Sequence, residues 1–295
     1  MNNPGSAHVE VAPSTADVEA TALASLCAAL ASPPTRPAAP TGGPPVLLIA
    51  AGSFSPLTTA HVAMLAHARD YFTDAGTSVA AAVLSPASDG YLQSKEASAA
   101  SATATHRVAM AAAATAGVPW LAVDGVEAAG GRRLPTADAV GGIMRRVGGL
   151  LAGRRQDQQT VVPVAVVGVD VFVDFVDATK WPPTNVERLL RTATVAVYPR
   201  PQLAGPPPRG GVPAAADATP AASHPTKDDE RMARLLRHPL LAPHAARVVW
   251  MSTAPPLDGS SSAVRAALGS GAPPPAGLLH PEVAAYITVH RLYGV

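Results

Sequence analysis

Short runs of apolar, β-prone residues recur along the chain and alternate with stretches whose apolar positions fall three and four residues apart. Residues 46–51 (VLLIAA), 79–85 (VAAAVLS), 161–169 (VVPVAVVGV), 194–198 (TVAVY) and 247–251 (RVVWM) are of the first kind and predict strands. Residues 137–155 are of the second kind: Val140, Ile143, Met144, Val147, Leu150 and Leu151 make one stripe, with Arg145 and Arg146 largely off it. The segment HPEVAAYITVHRLY places a proline at a first-turn position and Val283, Tyr286 and Ile287 on one face, which predicts a docked helix. Strand and helix signals in alternation predict an α/β chain with a parallel, doubly wound sheet covered by helices.

Two stretches lack such patterning. Residues 1–45 are rich in alanine, proline, serine and threonine and end in SPPTRPAAPTGGPP, so they read as a mostly mobile extension. Within it, residues 17–31 have the composition of a helix, docked or free. Residues 199–230 hold few large apolar side chains and read as a surface insertion in a domain spanning 46–295.

Composition narrows the classes. With 295 residues and 48% hydrophobic residues the chain can bury a sizeable core, and a net charge of +1 does not suggest a polyanion or membrane partner. Arg132-Arg133, Arg145-Arg146 and Arg154-Arg155 lack the interleaved aromatics of a nucleic-acid surface and read as solvated helix faces. The single cysteine, Cys27, rules out an intrachain disulfide and suits a reducing compartment. No window approaches the roughly 20 apolar residues of a membrane span. The start lacks a basic secretory signature, which points to the cytoplasm, with the nucleus an alternative. Self-association is left open.

The chemistry concentrates in AGSFSPLTTAH, residues 51–61, directly after the first strand. In a doubly wound sheet that turn lies at the carboxyl edge, where ligands bind. Gly52 permits close backbone approach, Pro56 stiffens the turn, and Thr58 or Thr59 can cap the helix whose N-terminus favours an anion. His61 then stands in the first turn, in reach of a phosphate oxygen. A tight strand-to-helix turn with a core histidine is the plainer reading of any one of these residues, and their combination argues against it. Ser260-Ser261-Ser262 before Val264, Ala267 and Leu268 predict a second capped helix, with Arg265 in its first turn as an anion clamp. His224, His238 and His244 lack the spacing of metal ligands, and neither a Gly-x-x-x-x-Gly-Lys loop nor a Gly-x-Ser-x-Gly elbow occurs.

Gly52-Ser53-Phe54-Ser55-Pro56-Leu57-Thr58-Thr59-Ala60-His61 resembles the GxFxPxTxxH signature of nucleotidyltransferases, in the form found in eukaryotic nicotinamide-nucleotide adenylyltransferases. Further blocks resemble that family in order: SPASDGY (85–91), THRVAMA (105–111), WLAVDGVE (120–127), VVGVDVFVDF (166–175), KW (180–181), VAVYPR (195–200) and SSSAVRAAL (260–268). The resemblance implies a Rossmann-like fold of the nucleotidylyltransferase α/β phosphodiesterase superfamily. It also implies transfer of AMP from ATP to nicotinamide or nicotinate mononucleotide, giving NAD or deamido-NAD and pyrophosphate without a covalent enzyme intermediate. His61 and Arg265 would be catalytic. ATP would meet Gly52, Ser53, Phe54, His61, Gly168, Asp170, Ser260, Ser261, Ser262 and Arg265, and the mononucleotide Ser53, Phe54, Lys95 and Trp181, the last as a stacking platform. In the His106-Arg107 pair, the arginine is structural or phosphate-facing. Magnesium would travel on the ATP phosphates, with no protein ligands of its own.

The chain departs from the family pattern in three places. Leu92-Gln93-Ser94 replaces a lysine run, leaving Lys95, and Val126 replaces a second tryptophan. Gly259 and Ala263 replace an isoleucine and a lysine-like residue, so more of the charge falls to Arg265. The same chemistry on phosphopantetheine or FMN, and a catalytically weak nucleotide-binding scaffold, are the alternatives.

Overall fold

A computed structural model describes residues 14–31, 43–93, 102–152, 160–199, 226–253, 255 and 259–295. Along the chain run α1 (Thr15–Ala31), β1 (Val46–Gly52), α2 (Thr59–Asp74), β2 (Val79–Pro86), α3 (Asp89–Gln93), α4 (Ala104–Thr115), β3 (Leu121–Val123), α5 (Val126–Ala129) and α6 (Thr136–Ala152). Then come β4 (Val162–Gly168), α7 (Val169–Val173), α8 (Pro183–Thr192), β5 (Thr194–Tyr198), α9 (Lys227–Leu235), β6 (Val248–Trp250), α10 (Ser261–Gly269) and α11 (Pro281–Val289), with a 3-10 turn at Leu292–Gly294. The strands form one sheet in the order β3-β2-β1-β4-β5-β6, with every neighbouring pair parallel. This is a Rossmann-like doubly wound α/β fold, as the alternation of patterns predicts.

Both faces of the sheet are covered, which is why its strands read as continuous apolar runs. Leu48, Ala50, Ala82, Leu84, Val164, Val166 and Ala196 pack on one side with α2, α4, α10 and α11. Their neighbours Leu47, Ile49, Ala81, Val83, Ala165, Val195 and Val197 pack on the other with α6, α8 and the end of α1. The opening in this sandwich comes from the strand register. Pairing between β1 and β4 stops at Ile49 and Ala165, although both strands run on to Gly52 and Gly168. Strand order reverses between these two strands, so the splayed ends leave a crevice at the carboxyl edge.

Both stretches that lack regular patterning contribute a helix. Residues 15–31 form α1, docked beside edge strand β3: Leu26 and Ala29 are buried, and the Ser25 hydroxyl accepts a hydrogen bond from the Val123 amide at 3.2 Å. Other parts of the 1–45 extension, 1–13 and 32–42, lie outside the described residues. In the stretch read as an insertion, 200–225 lies outside them too, but its last residues begin α9. There the Thr226 hydroxyl accepts from the Asp229 amide while the Asp229 carboxylate accepts from the Thr226 amide, a reciprocal cap that starts the helix. Low hydrophobicity marks this stretch as an insertion, and capping sets where its helix starts.

Candidate active site

The turn from β1 into α2 is built so that its carbonyl groups face inward. The Gly52 carbonyl accepts from the Ala87 amide at 2.9 Å, and that of Ser53 from Arg107 Nη1 at 2.7 Å. The Ser55 carbonyl accepts from Arg265 Nη1 at 2.6 Å, and that of Pro56 from the Ser261 hydroxyl at 2.8 Å. A planar trans peptide sets each carbonyl opposite the following N–H. Engaging the Gly52 and Ser53 carbonyls therefore turns the Ser53 and Phe54 amides the other way, and both residues line the cleft. Phe54 holds φ at 46° and the Ser55–Pro56 bond is cis. Left-handed backbone at a bulky residue persists only where its surroundings enforce it, and such positions gather at functional sites.

His61 stands three residues after Thr58, which precedes α2, and its ring meets the buried Phe54 ring edge-on at 5.0 Å. Its Nδ1 accepts from the Thr58 amide at 3.0 Å. That bond leaves the proton on Nε2, making it a donor. Burial lowers the imidazole pKa from 6.5 to about 4, against a smaller opposing effect of the Thr58 backbone contact. The ring is therefore neutral near pH 7, and its Nε2–H needs no solvent proton to donate.

Across the crevice, α10 is capped by Ser260, whose hydroxyl accepts from the Ala263 amide at 3.2 Å. Arg265 spans from the Ser55 carbonyl to the Ser262 hydroxyl at 3.1 Å, so it braces the turn while keeping further N–H groups for an anion. At the end of β4, Gly168 leaves room for the next turn: a Cβ there would lie 2.5 Å from Asp170 Oδ1 and 3.3 Å from the Tyr198 hydroxyl. A cavity of about 500 Å³ joins these pieces, a size suited to a small-molecule ligand. Gly52, Ser53, Phe54, His61, Gly168, Asp170, Ser260, Ser261, Ser262 and Arg265 all line it. Among the described lining residues Asp170 supplies the only carboxylate.

A family model described as cytidylyltransferase-like matches residues 49–267, from within β1 to within α10. The chain belongs to the cytidylyltransferase-like family. Its general chemistry is nucleotidyl transfer, and the matched span contains both capped helix starts together with His61 and Arg265. Comparison with curated proteins finds no match.

Within this cytidylyltransferase-like frame, not every candidate reaches the cleft. Trp181 is not among the lining residues; it packs against Phe175, ring centroids 4.6 Å apart, with the core on the α6–α8 side of the sheet. The indole is half-buried there against Phe175. Lys95 lies outside the described residues. Arg107 is structural: fully buried, it donates to the Ser53, Ala87 and Ala102 carbonyls and to Asp89. Burial lowers its pKa, and the hydrogen bond and charge of Asp89 oppose that shift. Gly259, where an isoleucine was expected, faces Leu278 so closely that a Cβ would lie 2.2 Å from its Cδ2. Leu278 thus fills space that an isoleucine side chain would enter. Tyr198 lines the cleft from β5 without having been singled out, although its place at the carboxyl end of a strand was a usable signal.

Proposed function

We propose that the protein is an adenylyltransferase joining the AMP moiety of ATP to nicotinamide or nicotinate mononucleotide, releasing pyrophosphate. The observation that carries this reading is the convergence of the β1–α2 turn, His61, Arg265 and the N-terminus of α10 on one cleft at the switch between β1 and β4. An acceptor phosphate oxygen attacks the α-phosphorus in line as the bond to pyrophosphate breaks, a reaction that needs positioning and charge stabilisation rather than a protein nucleophile. His61 Nε2–H and the turn amides donate to the α-phosphate oxygens of the transferring adenylyl group. Arg265 and the α10 N-terminus hold the departing pyrophosphate. Gly168 and Asp170 stand on the nucleoside side. Magnesium arrives with the triphosphate, held by phosphate oxygens and water. The pyridine acceptor rests on the resemblance of the Gly-Val-Asp and Lys-Trp blocks.

Packing of Trp181 away from the cleft favours a second reading, in which the same transfer serves another phosphate acceptor such as phosphopantetheine or FMN. The deciding experiment incubates purified protein with ATP, magnesium and either pyridine mononucleotide, then separates products by chromatography. Dinucleotide with stoichiometric pyrophosphate is expected. Pyrophosphate with FMN or phosphopantetheine alone would transfer the assignment to that acceptor. ATP binding without any product would leave a nucleotide-binding scaffold.

A further inference from the structure

The phosphate turn is also held from behind, by a residue that no motif singles out. Tyr293 lies in the 3-10 turn Leu292–Gly294, and its hydroxyl stands 3.0 Å from the Ser55 hydroxyl in a contact that is buried on both sides. Arg107 and Arg265, whose guanidinium groups hold the carbonyls on either side of Phe54, are close enough to act electrostatically on the Tyr293 hydroxyl. Burial pushes that phenol up to about 12, so it stays protonated at any working pH.

Backbone conformation reinforces the link. Among the described residues, the non-glycine positions with positive φ are Phe54, Arg291 and Tyr293, at 46°, 50° and 62°. One lies in the turn, and two lie in the segment that delivers the tyrosine to it. Strain of this kind survives where packing over-determines the conformation. The Ser55–Tyr293 contact joins the two strained segments by a direct hydrogen bond.

We infer that Tyr293 is a positioning residue for nucleotidyl transfer: it fixes Ser55, and through Ser55 holds the 53–56 turn with the Ser53 and Phe54 amides toward the phosphates. The inference rests on the nucleotidyl-transfer reading of the cleft and adds to it a residue that does not touch substrate.

Tyr293→Phe removes only the hydroxyl. In the full chain, assayed with ATP, magnesium and the acceptor that the unaltered protein uses, it is expected to lower kcat about tenfold while KM for ATP moves less than about twofold. Ser55→Ala is expected to lower kcat likewise, and the double variant no more than Tyr293→Phe alone, because the hydroxyl that also meets the Ala102 backbone reaches the turn through Ser55. Thermal melts establish that each variant is folded; should Tyr293→Phe fail to fold, Ser55→Ala carries the test from the other side. Pyrophosphate binding by calorimetry reads the turn without any acceptor through Arg265, which is anchored on the Ser55 carbonyl, and its Kd is expected to rise about fivefold in Tyr293→Phe. Unchanged kcat with unchanged pyrophosphate affinity overturns the inference, as do additive losses in the double variant. If no pyridine mononucleotide is turned over yet pyrophosphate affinity still falls, the proposed acceptor is wrong and the positioning role stands.

Discussion

His61 reaches the cleft as a neutral donor because two physical effects agree. Burial disfavours the imidazolium, and the Thr58 amide occupies Nδ1, so the remaining proton sits on Nε2. Removing that donor with His61→Ala should lower kcat by about 10²–10³ while leaving the thermal transition in place, measured by steady-state assay and circular dichroism. The depressed pKa also has a stability signature. Between about pH 4 and 6.5 the unfolded chain carries a proton on this ring that the folded chain does not. Stability therefore rises with pH across that window and falls on acidification through it. Urea unfolding at several pH values should show this slope in the unaltered protein and a shallower one in His61→Asn; equal slopes would remove His61 as its source.

At the scale of elements, capping and steric fit set the geometry that the side chains use. Ser260→Ala removes the α10 cap and should cost about 1 kcal/mol in urea unfolding, together with weaker pyrophosphate binding at the same helix end. Gly259 and Leu278 form a complementary pair, because the leucine occupies the space that a Cβ would need. Gly259→Ala should therefore lower the melting temperature, and Leu278→Ala in the same chain should recover part of that loss. Additive losses would show that the two positions do not share the space. The same Leu278 offers its carbonyl to the Thr59 amide at 3.0 Å, and the Thr59 hydroxyl donates to the Gly277 carbonyl at 2.6 Å, so the fit bears directly on the start of α2.

At the scale of the molecule, Arg107 ties the elements around the cleft to one another. From α4 it holds carbonyls in the β1–α2 turn, after β2 and ahead of its own helix. Each buried carbonyl that loses its donor costs about 1–3 kcal/mol. Arg107→Met should thus lower unfolding free energy by about 3 kcal/mol or more, with Arg107→Lys recovering only part, as measured by urea denaturation. An unchanged midpoint for Arg107→Met would mean that water replaces the guanidinium without penalty.

The sequence by itself determined the sheet and the two anion-ready helix starts. Strands buried on both faces must be continuously apolar, and that pattern is visible without coordinates at 46–51, 161–169 and 194–198. Caps and turns likewise depend on residues adjacent in sequence, which is why the 51–61 and 260–268 stretches were legible. β3, three residues long, reads in the sequence as no more than a strand-like segment after Pro119. Tertiary structure alone decided partners distant along the chain. It turned Arg107 inward, laid Trp181 against Phe175 and brought Tyr293 to Ser55, because burial and hydrogen-bond satisfaction are settled among residues that meet only once the sheet has formed.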